Sequence, residues 1–196
     1  MSWKITALIA ALLLIACGGN EPKKEGDKQK PYPRVRIETE LGKIVLELWP
    51  DVAPNHVANF LDLVDKGFYR GLTWHRVIKD FIIQSGSPNN DISGHAGYVI
   101  EAEFSNLPHN PGTLSMARGV DPNSASCQFF ICLDRRPDLD GRYTIFGQTV
   151  EGLDVVQAIG RVETDADDRP LKAVHIVNIG REDKRLPAVR NDSAGE

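Results

Sequence analysis

The chain has 196 residues, 41% apolar and 26% charged, with a formal net charge of −4. This is an ordinary composition for a soluble globular protein, with room for one sizeable core. A mildly acidic balance gives no support for nucleic-acid binding as the main activity.

Met1-Ser-Trp-Lys4 is a short basic start, and Ile5–Ala16 is an apolar run. That run is too short to cross a bilayer but suits the hydrophobic region of a signal peptide. It ends Leu14-Ile15-Ala16-Cys17, which resembles a bacterial lipoprotein lipobox. The resemblance implies cleavage before Cys17 and lipid on that residue; the alternative is an ordinary secretory signal with an incidental cysteine. Removing residues 1–16 removes Lys4 and leaves a net charge of −5. Residues 17–33 are polar, Lys-rich and broken by Gly and Pro, so they cannot repay their ordering entropy and read as a flexible tether. The folded domain is expected over residues 34–180, with a frayed polar tail over 181–196. The implied location is a bacterial cell envelope, with the domain outside the cytoplasm and anchored through lipid on Cys17.

Val35–Thr39 and Lys43–Leu48 alternate around Leu41-Gly42, a hairpin signal. A helix is predicted from Pro54, because Val57, Phe60, Leu61 and Val64 make one apolar stripe and Lys66-Gly67 is a stop signal. Thr73–Ile78 and Phe81–Gly86 then read as two strands joined by a Lys79-Asp80 turn. Arg76 and Gln84 sit inside these apolar runs, where a cation needs a partner or a task. Ser87–Gly97 is a loop, Tyr98–Phe104 has room for a short extended piece, and Pro108–Gly112 is a turn. Strands are predicted at Thr113–Arg118, Gln128–Leu133 and Tyr143–Thr149, separated by the polar loop Gly119–Ser126 and the charged loop Asp134–Arg142. Leu153, Val156 and Ile159 have helical spacing, with Gly160 as the stop, and Lys172–Ile179 is a closing strand. Many short strands with two helices predict a mainly β protein, an antiparallel barrel or sandwich. Two helices cannot sheathe a doubly wound parallel sheet, but they could plug the open ends of a barrel.

Cys127 and Cys132 lie in an apparent strand on opposite faces, about 16 Å apart, so they are expected as two buried reduced thiols. His56, His95, His109 and His175 show no ligand spacing, and neither metal nor cofactor is expected. His75 adjoins Arg76, so alternation turns it to the other face and assigns it a structural role.

Several short motifs now fall in one order: Phe68-Tyr-Arg-Gly71, Trp74-His-Arg-Val-Ile78, Phe81-Ile-Ile-Gln84-Ser-Gly86, Gly112-Thr-Leu-Ser-Met-Ala117, Gln128-Phe-Phe-Ile131, Leu139-Asp-Gly141 and Phe146-Gly147. Order and spacing resemble the cyclophilin-type peptidyl-prolyl isomerases from about Val35 to Gly180. The resemblance implies an eight-stranded antiparallel β-barrel closed by two α-helices, and rotation of Xaa-Pro bonds as the activity. It implies proline-containing polypeptide segments as partners; a monomer is the default state.

Rotation about a prolyl bond crosses a barrier of about 18–20 kcal/mol, because the amide is resonance-stabilised. Twisting breaks the resonance, and the prolyl nitrogen gains a lone pair. A catalyst therefore needs an apolar pocket for the ring, a grip on the peptide and a donor aimed at the twisted amide. By the resemblance, Arg76 is the catalytic donor. Phe81, Ile82, Phe130 and Leu139 line the proline pocket, and Gln84 and Gln128 hold the peptide backbone. Ala117, Arg118 and Gly119 run beside the substrate, and Tyr143 replaces a His found in many members. Asp138 stands near a Trp of some members, which implies weaker cyclosporin binding with catalysis intact. Alternation puts Gln128 and Phe130 on one face and Phe129 and Ile131 on the other, the latter as core together with Ile83. It does not bring Phe81 and Gln84 together, so an irregularity is required at Ile78–Phe81. A non-catalytic module that holds Pro-containing segments is the alternative function, although such a binder has no need of Arg76.

Overall fold

The computed structural model describes residues 32–182. The expected signal run, Cys17, almost all of the expected tether and the residues beyond 182 lie outside the described residues.

The hairpin forms as read: β1 (Arg34–Thr39) pairs antiparallel with β2 (Gly42–Leu48) across a tight turn. Helix α1 (Pro54–Asp65) follows, with Pro in its first turn. It buries Val57, Phe60, Leu61, Leu63 and Val64. No side chain at its own N-cap closes the helix. Glu103 does so from a distant loop: its carboxylate accepts the backbone N–H of Asn55 and His56 at 3.0 and 2.9 Å. An anion on the free N–H groups of a helix start is favourable, and no local spacing announces it.

Strands β3 (Arg76–Ile78) and β4 (Ile82–Ser85) follow, then β5 (Thr113–Met116), β6 (Phe129–Cys132) and β7 (Ile145–Glu151). Helix α2 (Leu153–Ile159) and strand β8 (Asn178–Arg181) end the fold. The strands form one antiparallel eight-stranded sheet in the order β3-β4-β6-β5-β7-β2-β1-β8. The sheet curls, and its ends meet through the segments leading into β3 and β8. Thr73 bridges His175, and Trp74 N–H donates to Val174 C=O at 2.9 Å.

The closing strand therefore differs from its expected span of Lys172–Ile179. The ladder with β1 starts only at Asn178 and runs on to Arg181, while Val174 and Ile176 before it bond to Gly71, Leu72 and Trp74. Likewise Thr73–His75 make no regular ladder, and Tyr98–Phe104 hold only an isolated bridge from Ile100 to Ala125.

The main core lies on the inner face of this sheet. Phe129 is its hub: Phe60, Tyr69 and Trp74 meet it at 5.3, 5.5 and 5.7 Å, with rings near perpendicular. Edge-to-face packing of this kind adds to the burial of the rings themselves. Ile131 from the same strand and Val77, Ile83 and Leu114 from other strands join this core, as alternation required of Phe129 and Ile131 and as expected of Ile83.

Candidate active site

The outer face of the same strands carries a second, smaller apolar cluster. Ile82, Phe130, Cys132 and Leu139 are buried in it, with Phe81, Ala117 and Tyr143 packed around them. Register brings them together: Arg76 stands opposite Gln84 across β3–β4, Gln84 opposite Phe130 across β4–β6, and Phe130 opposite Ser115 across β6–β5. Cross-strand partners share a face, so a cation, an amide and an aromatic ring form one row across the sheet.

Phe81 reaches this face from outside the strands. It ends a three-residue turn, Lys79–Phe81, in which Asp80 takes a left-handed φ of 56° and Phe81 N–H returns to Ile78 C=O at 3.0 Å. This is the irregularity that the resemblance required at Ile78–Phe81, against strict alternation. Leu139 comes from a short 3-10 turn, Pro137–Leu139, whose Asp138 pairs with Arg136.

Every residue assigned to catalysis or substrate binding from the sequence lines one groove: Arg76, Phe81, Ile82, Gln84, Ala117, Arg118, Gly119, Gln128, Phe130, Leu139 and Tyr143. Polar groups along its floor form a directed chain. Arg76 Nη1 donates to Gln84 Oε1 at a long 3.5 Å, and Gln84 Nε2 donates to Gln128 Oε1 at 2.8 Å. Gln128 Nε2 donates onward to the carbonyls of Gly94 (2.6 Å) and Ile92 (3.1 Å). Each amide therefore has one orientation that satisfies both neighbours.

Aromatic walls are braced from behind. His109 stacks on Phe130 at 6.2 Å, and Tyr143 meets it edge-on at 5.7 Å. His109 is held in turn, with Nδ1 at 3.1 Å from Asp140 and Nε2 at 3.1 Å from Ser115 Oγ. Asp140 also pairs with Arg135, which with the His109 backbone N–H holds its carboxyl well below the usual carboxylate range. Arg136 lies over the Phe81 ring at 4.2 Å and Arg118 over the Tyr143 ring at 4.6 Å. Arg118 also donates to the carbonyls of Arg142, Gly119 and Val120. Its side chain thus ties the 118–120 segment to the far wall.

Two features of the groove escaped the sequence. His75 lines it, contrary to the reading that turned it away. Trp74 and His75 precede β3, so strand alternation does not apply to them. The ring is buried, with neither nitrogen in a well-formed hydrogen bond. Burial pushes its pKa down to about 4, outweighing the nearby Gln128 and Asp91, which favour the charged form. The second feature is the loop carrying Asp167 and Asp168 beside Arg76. Cys127 and Cys132 are both free and buried. Cys127 precedes β6 instead of lying within it, and packs in the main core; burial pushes the Cys132 thiol up to about 12.

Residues 34–181 match the cyclophilin type peptidyl-prolyl cis-trans isomerase/CLD family. The chain belongs to the cyclophilin-type peptidyl-prolyl isomerases. The isomerase ppi1 of Schizosaccharomyces pombe is 43% identical over 150 residues, covering 73% of this chain and 95% of the relative. A peptidyl-prolyl cis-trans isomerase of Synechococcus elongatus is 48% identical over 125 residues, 63% of this chain and 86% of the relative. The crystal structure of a cyclophilin-type isomerase from Cryptosporidium parvum superposes with a TM-score of 0.74 at 31% identity, covering 79% of this chain and 99% of that one. The mainly β, curled eight-stranded sheet with two helices is thus the cyclophilin fold, and the chain is a peptidyl-prolyl cis-trans isomerase that acts on proline-containing peptides.

Proposed function

We propose that this cyclophilin is a lipid-anchored, monomeric folding catalyst of a bacterial envelope, and that Arg76 is its catalytic donor. The row Arg76–Gln84–Phe130 supports the second part most directly. It sets an obligate cation, with its N–H groups in a rigid fork, at the rim of an apolar pocket. The proline ring enters between Phe81, Ile82, Phe130 and Leu139. Peptide main chain lies along Ala117–Gly119, where Gln84 and Gln128 grip it. As the amide twists, the lone pair on the prolyl nitrogen meets the Arg76 guanidinium. The charge that develops is stabilised more than the planar amide is, which lowers the barrier without a covalent step. The isomerase from Cryptosporidium parvum has also been crystallised in the presence of the dipeptide Ala-Pro, and that structure superposes with a TM-score of 0.72 at 33% identity.

A protease-coupled assay on an Ala-Pro peptide tests the roles. Arg76→Ala lowers kcat/KM by roughly 10²–10³, the scale for losing one preorganised donor. Full activity in that variant removes Arg76 from catalysis.

The anchor rests on Leu14–Cys17 and on the polar tether after it. Acyl chains contribute about 0.8 kcal/mol per buried CH₂, and a stable anchor takes more than one of them. Envelope clients limited by slow prolyl bonds follow from that location. Fractionation decides it: the native protein partitions with membranes and Cys17→Ser is released, whereas a Cys17→Ser protein that stays in the membrane fraction defeats the anchor.

A further inference from the structure

Between α2 and β8 the segment Glu163–Leu171 folds back on itself. Thr164 bridges Pro170, and Leu171 N–H donates to Glu163 C=O at 2.9 Å. Asp165 Oδ1 accepts the backbone N–H groups of Asp167 and Arg169, both at 2.9 Å. Asp168, at the tip, takes a left-handed φ of 61°. That region suits only Gly well, although Asp and Asn tolerate it. Turned this way, the Asp168 carbonyl accepts the N–H of Val77 at 2.8 Å. Val77 lies in β3, an end strand of the sheet, immediately after Arg76. The loop is therefore bonded to the backbone beside Arg76, and it sets Asp168 Oδ2 at 3.5 Å from Arg76 Nε.

We propose that Asp168 is a positioning residue for Arg76: its carboxylate holds the Nε–H side of the guanidinium, so that the Nη groups face the groove. The proposal rests on Arg76 acting as the donor. An arginine on an end strand has many rotamers, and only those that present the fork to the prolyl nitrogen are useful. Apart from Asp168, the polar contact of Arg76 among the described residues is the 3.5 Å bond to Gln84. One long bond at Nη1 leaves the side chain free to swing about it; a second anchor at Nε defines the guanidinium plane. The side chains of Arg76 and Asp168 are 35% and 39% exposed. Solvent screens their attraction at that exposure, so the pair contributes little stability and its part is to set the direction of the guanidinium.

Backbone and carboxylate can be separated by substitution. Asp168→Gly keeps the left-handed φ and the carbonyl bonded to Val77, and removes only the side chain. Asp168→Asn keeps both the φ and an oxygen that can accept from Nε. With an Ala-Pro peptide, Asp168→Gly lowers kcat roughly tenfold, within the scale of a small misplacement of a catalytic group, with KM and melting temperature little changed. Asp168→Asn restores kcat to within about threefold of the native value. In an Arg76→Ala background, Asp168→Gly has no further effect on the residual rate. Native kcat in Asp168→Gly, an equal loss in Asp168→Asn, or a further loss without Arg76 each overturns the proposal. Arg76→Ala in parallel separates the two readings. If it is inactive while Asp168→Gly turns over normally, only the positioning role falls; if it is fully active, both fall.

Discussion

Phe129 and Phe130 are neighbours in one strand and live in different environments. Phe129 faces the interior, where Phe60, Tyr69 and Trp74 press edges on it and α1 covers it. Phe130 faces outward as one of a cluster of four buried residues, packed by His109, Tyr143 and the Pro137–Leu139 turn, and it lines the groove. Both rings are almost fully buried, so burial does not separate their functions. What separates them is whether the surrounding atoms already fill the space. The inner face is closed and contributes stability. The outer face lines an open groove, where the proposed function seats the proline ring, and its rings are held by polar braces such as His109, Asp140 and Arg118.

The contrast can be broken in several places. Phe129→Ala leaves a cavity among large rings and costs about 3–5 kcal/mol of stability, read by denaturant unfolding, with activity per folded molecule preserved. A comparable cost in Phe130→Ala would erase the difference between the faces. Acid probes their border, where His75 is buried yet lines the groove. Burial lowers its pKa from 6.5 to about 4, so between those values the unfolded chain binds the proton and the folded chain does not. Stability therefore falls as pH drops through that window, by on the order of 3 kcal/mol, and His75→Gln flattens the loss. Equal pH profiles for the two proteins would show that His75 is not the source. His56 and His109, also lowered by burial, add to acid sensitivity with the same sign. For Phe130→Ala, losing an apolar contact of about 1.5–3 kcal/mol predicts a fall in kcat/KM of roughly 10–100-fold. That loss should exceed the loss in Phe129→Ala, and the reverse order would contradict the split. The smallest effect is expected at Glu103→Gln, which weakens the anion at the start of α1 and costs about 1 kcal/mol in thermal unfolding, without changing turnover.

Much of this arrangement was legible from local pattern. The β1–β2 hairpin, the stripe of α1 and the split between Phe129 and Phe130 follow from periods of 2 and 3.6, because those periods are set by the backbone itself. The groove residues came from motif order, where individual apolar residues are indistinguishable from core. Periodicity failed where no regular strand exists. Phe81 belongs to a turn, His75 precedes β3, and Val174 and Ile176 before β8 bond to Gly71, Leu72 and Trp74 instead of joining the ladder. Local pattern carries no information about a partner far away in the chain.

The sequence by itself determined which side chains must be buried and which polar ones, Arg76 and Gln84 above all, stand among them without a local reason. Only the tertiary structure decided what those polar groups meet. Gln84 meets Gln128, and Gln128 the carbonyls of Ile92 and Gly94; Glu103 meets the start of α1; Asp168 meets Arg76. The physical reason is that hydrophobic burial is non-directional and repeats with the backbone. Hydrogen bonds and ion pairs are instead short-ranged and directional, and depend on where distant loops come to rest.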